Sequence, residues 1–494
     1  MSCSPRFLLL SGSLLMACLG GALIGRLDVG SLSGSPLAVA FLIGVLTLVT
    51  LAPIVLPGLR NGEPLDPFSP MVFWGLYSLS HALRVAQIAF LDDWNTNWFF
   101  QGQHTVAPLL VEALALLILG RIALTAGFFA PWGARIGRSL ASPPAISTSI
   151  LSPLLVPVLG LLGLASYVYL LSLGGGLESY LDNLGRKREV LTGNFTFVLG
   201  SSLLPLAFHL LLVWSIGRRH RWGMIVSAAG IAFSFCVIAT IGTRTSAIYV
   251  LLTAVIIVHY TVRRIPTWSI VALGLLLFQF VQVFGEARMN TARGRDFILA
   301  EQGIDNPFVT LSLFVSEWGA IDRFLVFIDG VPEEIEFQYF TTYTRFFTVF
   351  VPRALWEDKP GLTEANVYSS LFVSGVQNYA TLPAGVTADY YLQAGVFGVV
   401  ILWLLTGVVM RAAHAFVAGR PGHAPGNAER AWLYAITLLT IGEGLVNVAL
   451  VAFATQLASA FVVLWIARAR EPMQASDRVN IGEQRTRPAD GAPA

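Results

Sequence analysis

Charge is what this chain has least of: Lys, Arg, Asp and Glu together make up 12% of its 494 residues, about half the share usual in soluble domains. The formal net charge of +2 leaves no basic surface for gripping nucleic acid, so no nucleic-acid partner is expected. Cysteine is nearly absent too. Cys3, Cys18 and Cys236 are far apart, which excludes a disulfide framework and any CxxC metal site. Histidine numbers 7 in all, and the long stretch 286–383 has none, so chemistry there falls to carboxylates and cations. What fills the space is apolar: 55% hydrophobic residues and a mean hydropathy of +0.69. That composition belongs to an all-α polytopic membrane protein, because only helices satisfy their own backbone inside hydrocarbon.

Apolar runs long enough to span fall near 7–25, 36–56, 68–90, 106–129, 149–172, 195–216, 223–241, 245–260, 267–285, 384–410, 431–448 and 450–467, about twelve in total. The first run ends in a Leu-Met-Ala-Cys that imitates a lipoprotein signal, but it continues well past Cys18 and reads as a helix. Short connections carry Arg60, Arg135 with Arg138, the run 217–221, Arg263 with Arg264, and the segment 411–430, all on one side of successive spans. Positive charge resists translocation, so this side is the cytoplasm, and both termini lie there. The chain divides into N-terminal spans (1–285), one long periplasmic segment (286–383), C-terminal spans (384–467) and a charged, Pro- and Gly-containing tail (468–494) expected to be disordered.

The periplasmic segment is the only extramembrane piece long enough for a site. Its stretch 308–328 is apolar but interrupted by Glu317, Asp322 and Arg323, and is expected to be an amphipathic helix at the interface or re-entering from outside. The segment and the outer ends of the neighbouring spans gather Arg244, Arg288, Arg293, Arg295, Arg323, Arg345, Arg353 and Lys359 on the side positive charge avoids. Guanidinium clamps phosphate oxygens in bidentate fashion, so a lipid diphosphate suits such a lining; pairing with the segment's own, more numerous, carboxylates is the alternative. Within 351–360, VPRALWEDKP, two cations, two carboxylates, a tryptophan and two prolines crowd into ten residues.

The order of these features resembles the O-antigen or oligosaccharide repeat-unit polymerases (Wzy type) of bacterial surface-polysaccharide assembly. The matching pieces are Gly242-Thr243-Arg244 at a hairpin of spans, Glu286-Ala287-Arg288 at the outer end of the next span, the Pro-Arg-x-x-Trp-x-x-Lys-Pro block from Pro352 to Pro360, and Asp389, Tyr391, Gly395 and Gly398 where a small-residue stretch enters a span. The likeness covers roughly 195–450. Asp389 stands where the family tends to carry glutamate, and the Arg-x10-Gly motif of some members is missing.

The resemblance implies a GT-C-like, metal-independent inverting glycosyltransferase without a cofactor, in the bacterial inner membrane. It would join undecaprenyl-diphosphate-linked oligosaccharide repeat units at the periplasmic face, with membrane lipid and a polysaccharide chain-length regulator as partners. Charge develops on the departing diphosphate, a role for Arg244, Arg288, Arg353 and Lys359. Glu317 or Asp389 would take the acceptor proton. Arg323, Arg345, Trp356, Tyr343 and Tyr391 would bind substrate, the aromatics by stacking on sugar faces. An O-antigen ligase, or a flippase or exporter of the lipid-linked unit, would draw on similar cations; a transporter usually shows an internal repeat and charge spread through its spans, and neither is visible here.

Overall fold

The computed structural model of the chain describes residues 35–61, 65–90, 106–141, 152–183, 195–241, 244–292, 321–344, 356, 385–418, 427–442, 444–445 and 447–466. Among them there are helices and connections and no strand. Leu, Val, Ile, Ala and Phe dominate these segments, and with the solvent apolar the helix is the one structure that closes every backbone hydrogen bond within the segment. Six helices among the described residues are long and apolar enough to cross a membrane, and three shorter ones are apolar over 10–17 residues. The first predicted span, 7–25, lies outside the described residues.

One lobe contains α1 (Ser35–Asn61), α2 (Pro70–Phe90), α3 (Val106–Phe129) and the short α4 (Pro131–Ala141). The other is built from α5 (Ser152–Leu173), α6 (Leu177–Asp182), α7 (Phe195–Ser201), α8 (Leu203–Gly217), α9 (Arg221–Ile241), α10 (Arg244–Thr261) and α11 (Thr267–Ala292). Then come α12 (Ile321–Gly330), α13 (Thr341–Thr344), the long α14 (Val386–Ala418), α15 (Asn427–Ile441) and α16 (Asn447–Ile466). The predicted span 195–216 is matched by Phe197–Gly217, in which α7 passes into α8 at Ser202 with helical dihedrals. The first lobe packs its core around α14 with Leu46, Trp74, Leu114, Leu124, Val399 and Trp403. The second joins α5 and α8–α10 to α15 and α16 through Leu170, Leu210, Ile257, Trp432 and Leu464. A third apolar cluster, including Phe68, Phe128, Ile256, Met410 and Tyr434, welds the lobes together. Leu48, Leu161, Leu276 and Phe397 stand exposed on the outside, where lipid rather than water is the compatible solvent.

The α3–α14 contact is close enough to bring backbones together. A Cβ on Gly127 would strike the Leu404 carbonyl, and one on Gly407 would strike that of Leu124. With no hydrophobic force between helices in lipid, such close backbone approach supplies the attraction. This contact makes α14 the rigid post to which both ends of the molecule are referred.

The two ends of α14 differ. At the Ala418 end, Asp66 sits in the turn before α2, where its Oδ1 accepts from the Phe68 amide at 3.0 Å. Tyr260 of α10 donates its hydroxyl to Oδ2 at 2.7 Å. His414 of α14 brings Nε2 to 3.5 Å of Oδ2, and His259 brings Nε2 to 3.6 Å of Oδ1. Ile265 donates its amide to His259 Nδ1 at 3.1 Å, so the His259 proton rides on Nε2 and faces the carboxylate. Tyr434 of α15 closes the knot by donating to the Phe68 carbonyl at 2.6 Å. Burial alone would raise the Asp66 carboxyl, but hydrogen bonds from His259, His414 and Tyr260 outweigh it and hold the group well below its ordinary range. One carboxylate thereby ties α2, α10 and α14 together.

Candidate functional site

At the other end, α14 begins at Val386 and breaks eight residues into its length. Ala394 (φ −162°, ψ 35°) and Gly395 (φ 60°, ψ −138°) leave the helical region, and a backbone at positive φ is the place for glycine. The break exposes two carbonyls that a straight helix would consume. Leu392 O accepts from the Gln338 amide at 2.9 Å, and Gln393 O from the Tyr339 amide at 2.8 Å. The segment after α12 is thereby stitched to α14, and α13 with Tyr343 is delivered to its first turn.

Tyr390 holds the break in shape. Its hydroxyl lies 2.7 Å from Thr406 Oγ1 and accepts from the Leu445 amide at 2.6 Å. Thr406 already donates to the Leu402 carbonyl at 2.7 Å, so Tyr390 is the donor in their shared bond. One phenol thus connects the two halves of α14 and the connection between α15 and α16.

Asp389 lies on the neighbouring face, half-buried, its backbone amide bonded to Gly385 O at 3.1 Å. Tyr343 is beside it. Burial first, and then the nearby Tyr390 and Asp389, push the Tyr343 phenol above its ordinary value. The Tyr343 hydroxyl is buried with no hydrogen-bond partner among the described residues. Tyr391 is buried with its ring edge-on to Phe324 (6.3 Å) and Phe337 (6.1 Å), and Glu112 of α3 is nearby.

A polar stripe on α2 completes the wall. Tyr77, His81 and Arg84 are spaced four and three residues apart, which puts them on one helix face. Tyr77 Oη accepts from the Val386 amide at the start of α14, at 3.3 Å. His81 Nδ1 donates to the Tyr77 carbonyl at 2.8 Å, which leaves Nε2 as its acceptor face. Arg84 makes a buried, two-point pair with Asp322: Nε to Oδ2 at 3.2 Å and Nη2 to Oδ1 at 3.4 Å. Its Nη1 also reaches Gln87 Oε1 at 3.3 Å.

The pair explains α12. Ten residues rise about 15 Å, half a hydrocarbon core. Ile321, Asp322 and Phe324 through Ile328 are all buried, so of the two placements its amphipathic pattern allows, at the interface or re-entering, α12 takes the inserted one, among α2, α3 and α14. Asp322 is therefore a structural counter-ion to Arg84. Arg323, the next residue, is near enough to His81 to act on it electrostatically.

Of the predicted site residues, the structure brings together Asp389, Tyr343 and Tyr391, and places Arg323 across from them on α12. Arg244 is the first residue of α10, whose far end carries His259 and Tyr260 into the Asp66 knot; its backbone therefore stands at the Asp389 end. Arg288 occupies the last turns of α11, which starts beside His259 and rises to that same end. The side chains of Arg244 and Arg288 lie outside the described residues, as do Glu317, Arg345, Arg353 and Lys359 altogether. Trp356 is 42% exposed. Sequence reasoning missed His81 and Arg84, although two such residues on one face of a membrane helix are a signal in themselves. Among the described residues no group of three or more His, Cys, Asp or Glu is arranged to hold a metal ion.

Fold and site define a polytopic α-helical membrane protein with a polar, aromatic-walled cluster at one end of its bundle. A family model described as "Domain of unknown function (DUF8712)" matches residues 191–416. That range contains α12 and α13 and nearly all of α14, with Asp389 and Tyr343, and stops short of the α2 stripe. Searches of curated proteins and of solved structures give no match.

Proposed function

We propose that this chain is a membrane glycosyltransferase that polymerises undecaprenyl-diphosphate-linked oligosaccharide repeat units at the periplasmic face of the bacterial inner membrane. In this reading it has about twelve spans in a GT-C-like arrangement, with both termini in the cytoplasm and the Asp389 end facing outward. The observation that carries the proposal is the carboxylate of Asp389 beside the partnerless Tyr343 hydroxyl, at the end of the bundle where Arg244 and Arg288 also stand.

The chemistry follows from those groups. A hydroxyl of the incoming lipid-linked unit attacks the anomeric carbon of the growing chain. The new C–O bond forms as the bond to the lipid diphosphate breaks, and the hydroxyl proton passes to Asp389. A positioned base contributes typically 10²–10⁴-fold. Arg244, Arg288, Arg353 and Lys359 meet the negative charge gathering on the leaving diphosphate, which counts most where water is excluded. Tyr343 donates its unused O–H to a sugar oxygen, and Tyr391, Trp356, Arg323 and Arg345 hold the glycan and its phosphate.

The test is reconstitution of the purified full chain with undecaprenyl-diphosphate-linked repeat unit. The expected result is a ladder of longer glycans, all still attached to the lipid diphosphate. Transfer of the glycan to a lipid A core acceptor instead would identify a ligase, and movement of unextended units across the bilayer a flippase; either would overturn the proposal.

A further inference from the structure

At the other end of the first lobe, one arginine has no use in this chemistry. Arg121 of α3 is 2% exposed and lies eight residues before the helix end at Phe129, about 12 Å inside the bundle. Its Nη2 reaches two main-chain oxygens, Thr50 O at 3.4 Å and Met71 O at 3.2 Å. Nε and Nη1 are buried with no hydrogen-bond partner among the described residues. A guanidinium has five N–H bonds, and those on Nε and Nη1 find no acceptor among the described residues.

The same neighbourhood holds two further buried groups without partners, Thr50 Oγ1 and Trp74 Nε1. Both residues are essentially sealed, at 0% and 1% exposure. Thr50 touches the arginine through its carbonyl, and Trp74 adjoins through its neighbours. A Cβ on Gly75 would sit 3.6 Å from Thr50 Cγ2 and 3.9 Å from Arg121 Nη2, and Trp74 is the residue beside it. Trp403, whose ring lies 4.6 Å from that of Trp74, covers Gly120 next to Arg121. Buried donors from α1, α2 and α3 thus lie in one neighbourhood, each without a partner among the described residues. An isolated cation in low dielectric is costly, and carbonyl dipoles meet only part of it.

We infer that Arg121, Thr50 and Trp74 form a buried binding site for a phosphate-type oxyanion. Such an ion supplies what the region lacks: one or more negative charges and several acceptor oxygens spread tetrahedrally toward donors that arrive from three helices. It comes either from inorganic phosphate or from the headgroup of an anionic phospholipid in the leaflet at the Asp66 end. The site is independent of the outer cluster, and its occupancy is read without any glycan substrate.

The experiment uses the full chain in a non-ionic detergent, with thermal unfolding as the readout. Inorganic phosphate is titrated against chloride at constant ionic strength, and phosphatidylglycerol separately against phosphatidylcholine. The wild type is expected to show a saturable rise in unfolding midpoint with phosphate, with phosphatidylglycerol, or with both, the responding probe identifying the source. Arg121→Gln abolishes the rise. Thr50→Val combined with Trp74→Phe keeps the charge and removes two neutral donors, which raises half-saturation about tenfold. Should Arg121→Gln fail to fold, the double variant decides. No saturable shift in the wild type, an undiminished shift in Arg121→Gln, or an unchanged half-saturation in the double variant overturns the inference.

Discussion

The two ends of α14 solve opposite problems with the same residue types. At the Ala418 end an aspartate collects a backbone amide, a tyrosine hydroxyl and two imidazoles, and the tyrosine of a fourth helix seals the adjoining turn. At the Val386 end an aspartate lies beside a tyrosine whose hydroxyl is buried and has no partner among the described residues. One carboxylate is consumed by structure; the other lies beside a hydroxyl that has no partner among the described residues. The contrast separates a clamp from a site: where polar groups in a membrane bundle are satisfied they hold helices together, and where they are prepared but unsatisfied they await a ligand.

The largest expected effect falls on Asp389. Asp389→Asn retains size and shape but cannot take a proton, and is expected to reduce polymer formation by about 10²–10⁴-fold while protein abundance stays near that of the wild type. Quantified glycan ladders check this. Asp66→Asn, the matching change at the clamp, is expected to lower the unfolding midpoint in proportion to any loss of product.

Next comes the Arg84–Asp322 pair. Removing one partner, as in Asp322→Leu, strands a buried guanidinium and costs about 3–5 kcal/mol. The double change Arg84→Met with Asp322→Leu is expected to recover most of that loss, because apolar side chains of similar volume replace a desolvated pair with little penalty. Unfolding midpoints of the two singles and the double complete the cycle; a loss in the double equal to the sum of the two single losses would show that the pair is not coupled.

Gly395→Ala is expected to cost about 1–3 kcal/mol, since the backbone at φ 60° disfavours any side chain. The added carbon would also stand 3.2 Å from Phe337 Cζ. Thermal unfolding is the measurement, and a loss of product larger than the loss of fold would mark the break as part of the site.

The clamp also carries a pH signature. The Asp66 carboxyl sits below its ordinary value of 3.8 in the folded chain, so the unfolded chain binds the extra proton first. Its stabilisation is present above that ordinary value and is lost as pH falls through and below it. Unfolding midpoints between about pH 6 and pH 3 are expected to decline, and Asp66→Asn to flatten the decline. The smallest stability effect belongs to Tyr343→Phe, within about 0.5 kcal/mol, because the hydroxyl it removes has no hydrogen-bond partner among the described residues. A clear fall in polymer formation in that variant would show the hydroxyl engaged by substrate.

Much of the fold could be read directly from hydropathy, because long apolar runs admit few other structures. Asp389, Tyr343 and Tyr391 were also visible, standing where apolar sequence changes character. The missed residues share a physical reason. His81, Arg84 and Arg121 are single interruptions inside otherwise apolar helices, and their meaning depends on what faces them. Arg84 finds its counter-ion 238 residues away, and Asp66 finds His414 at a separation of 348; no local pattern encodes such distances. The insertion of α12 was half legible: its pattern allows a helix at the interface or one that re-enters, and the Arg84 pairing explains why Asp322 goes inward.

The most direct test compares wild type and Asp389→Asn at matched unfolding midpoints, each given undecaprenyl-diphosphate-linked repeat unit. The account predicts a glycan ladder from the wild type and unextended repeat unit from the variant. A ladder of equal length and rate from Asp389→Asn, or none from a folded wild type, would contradict it.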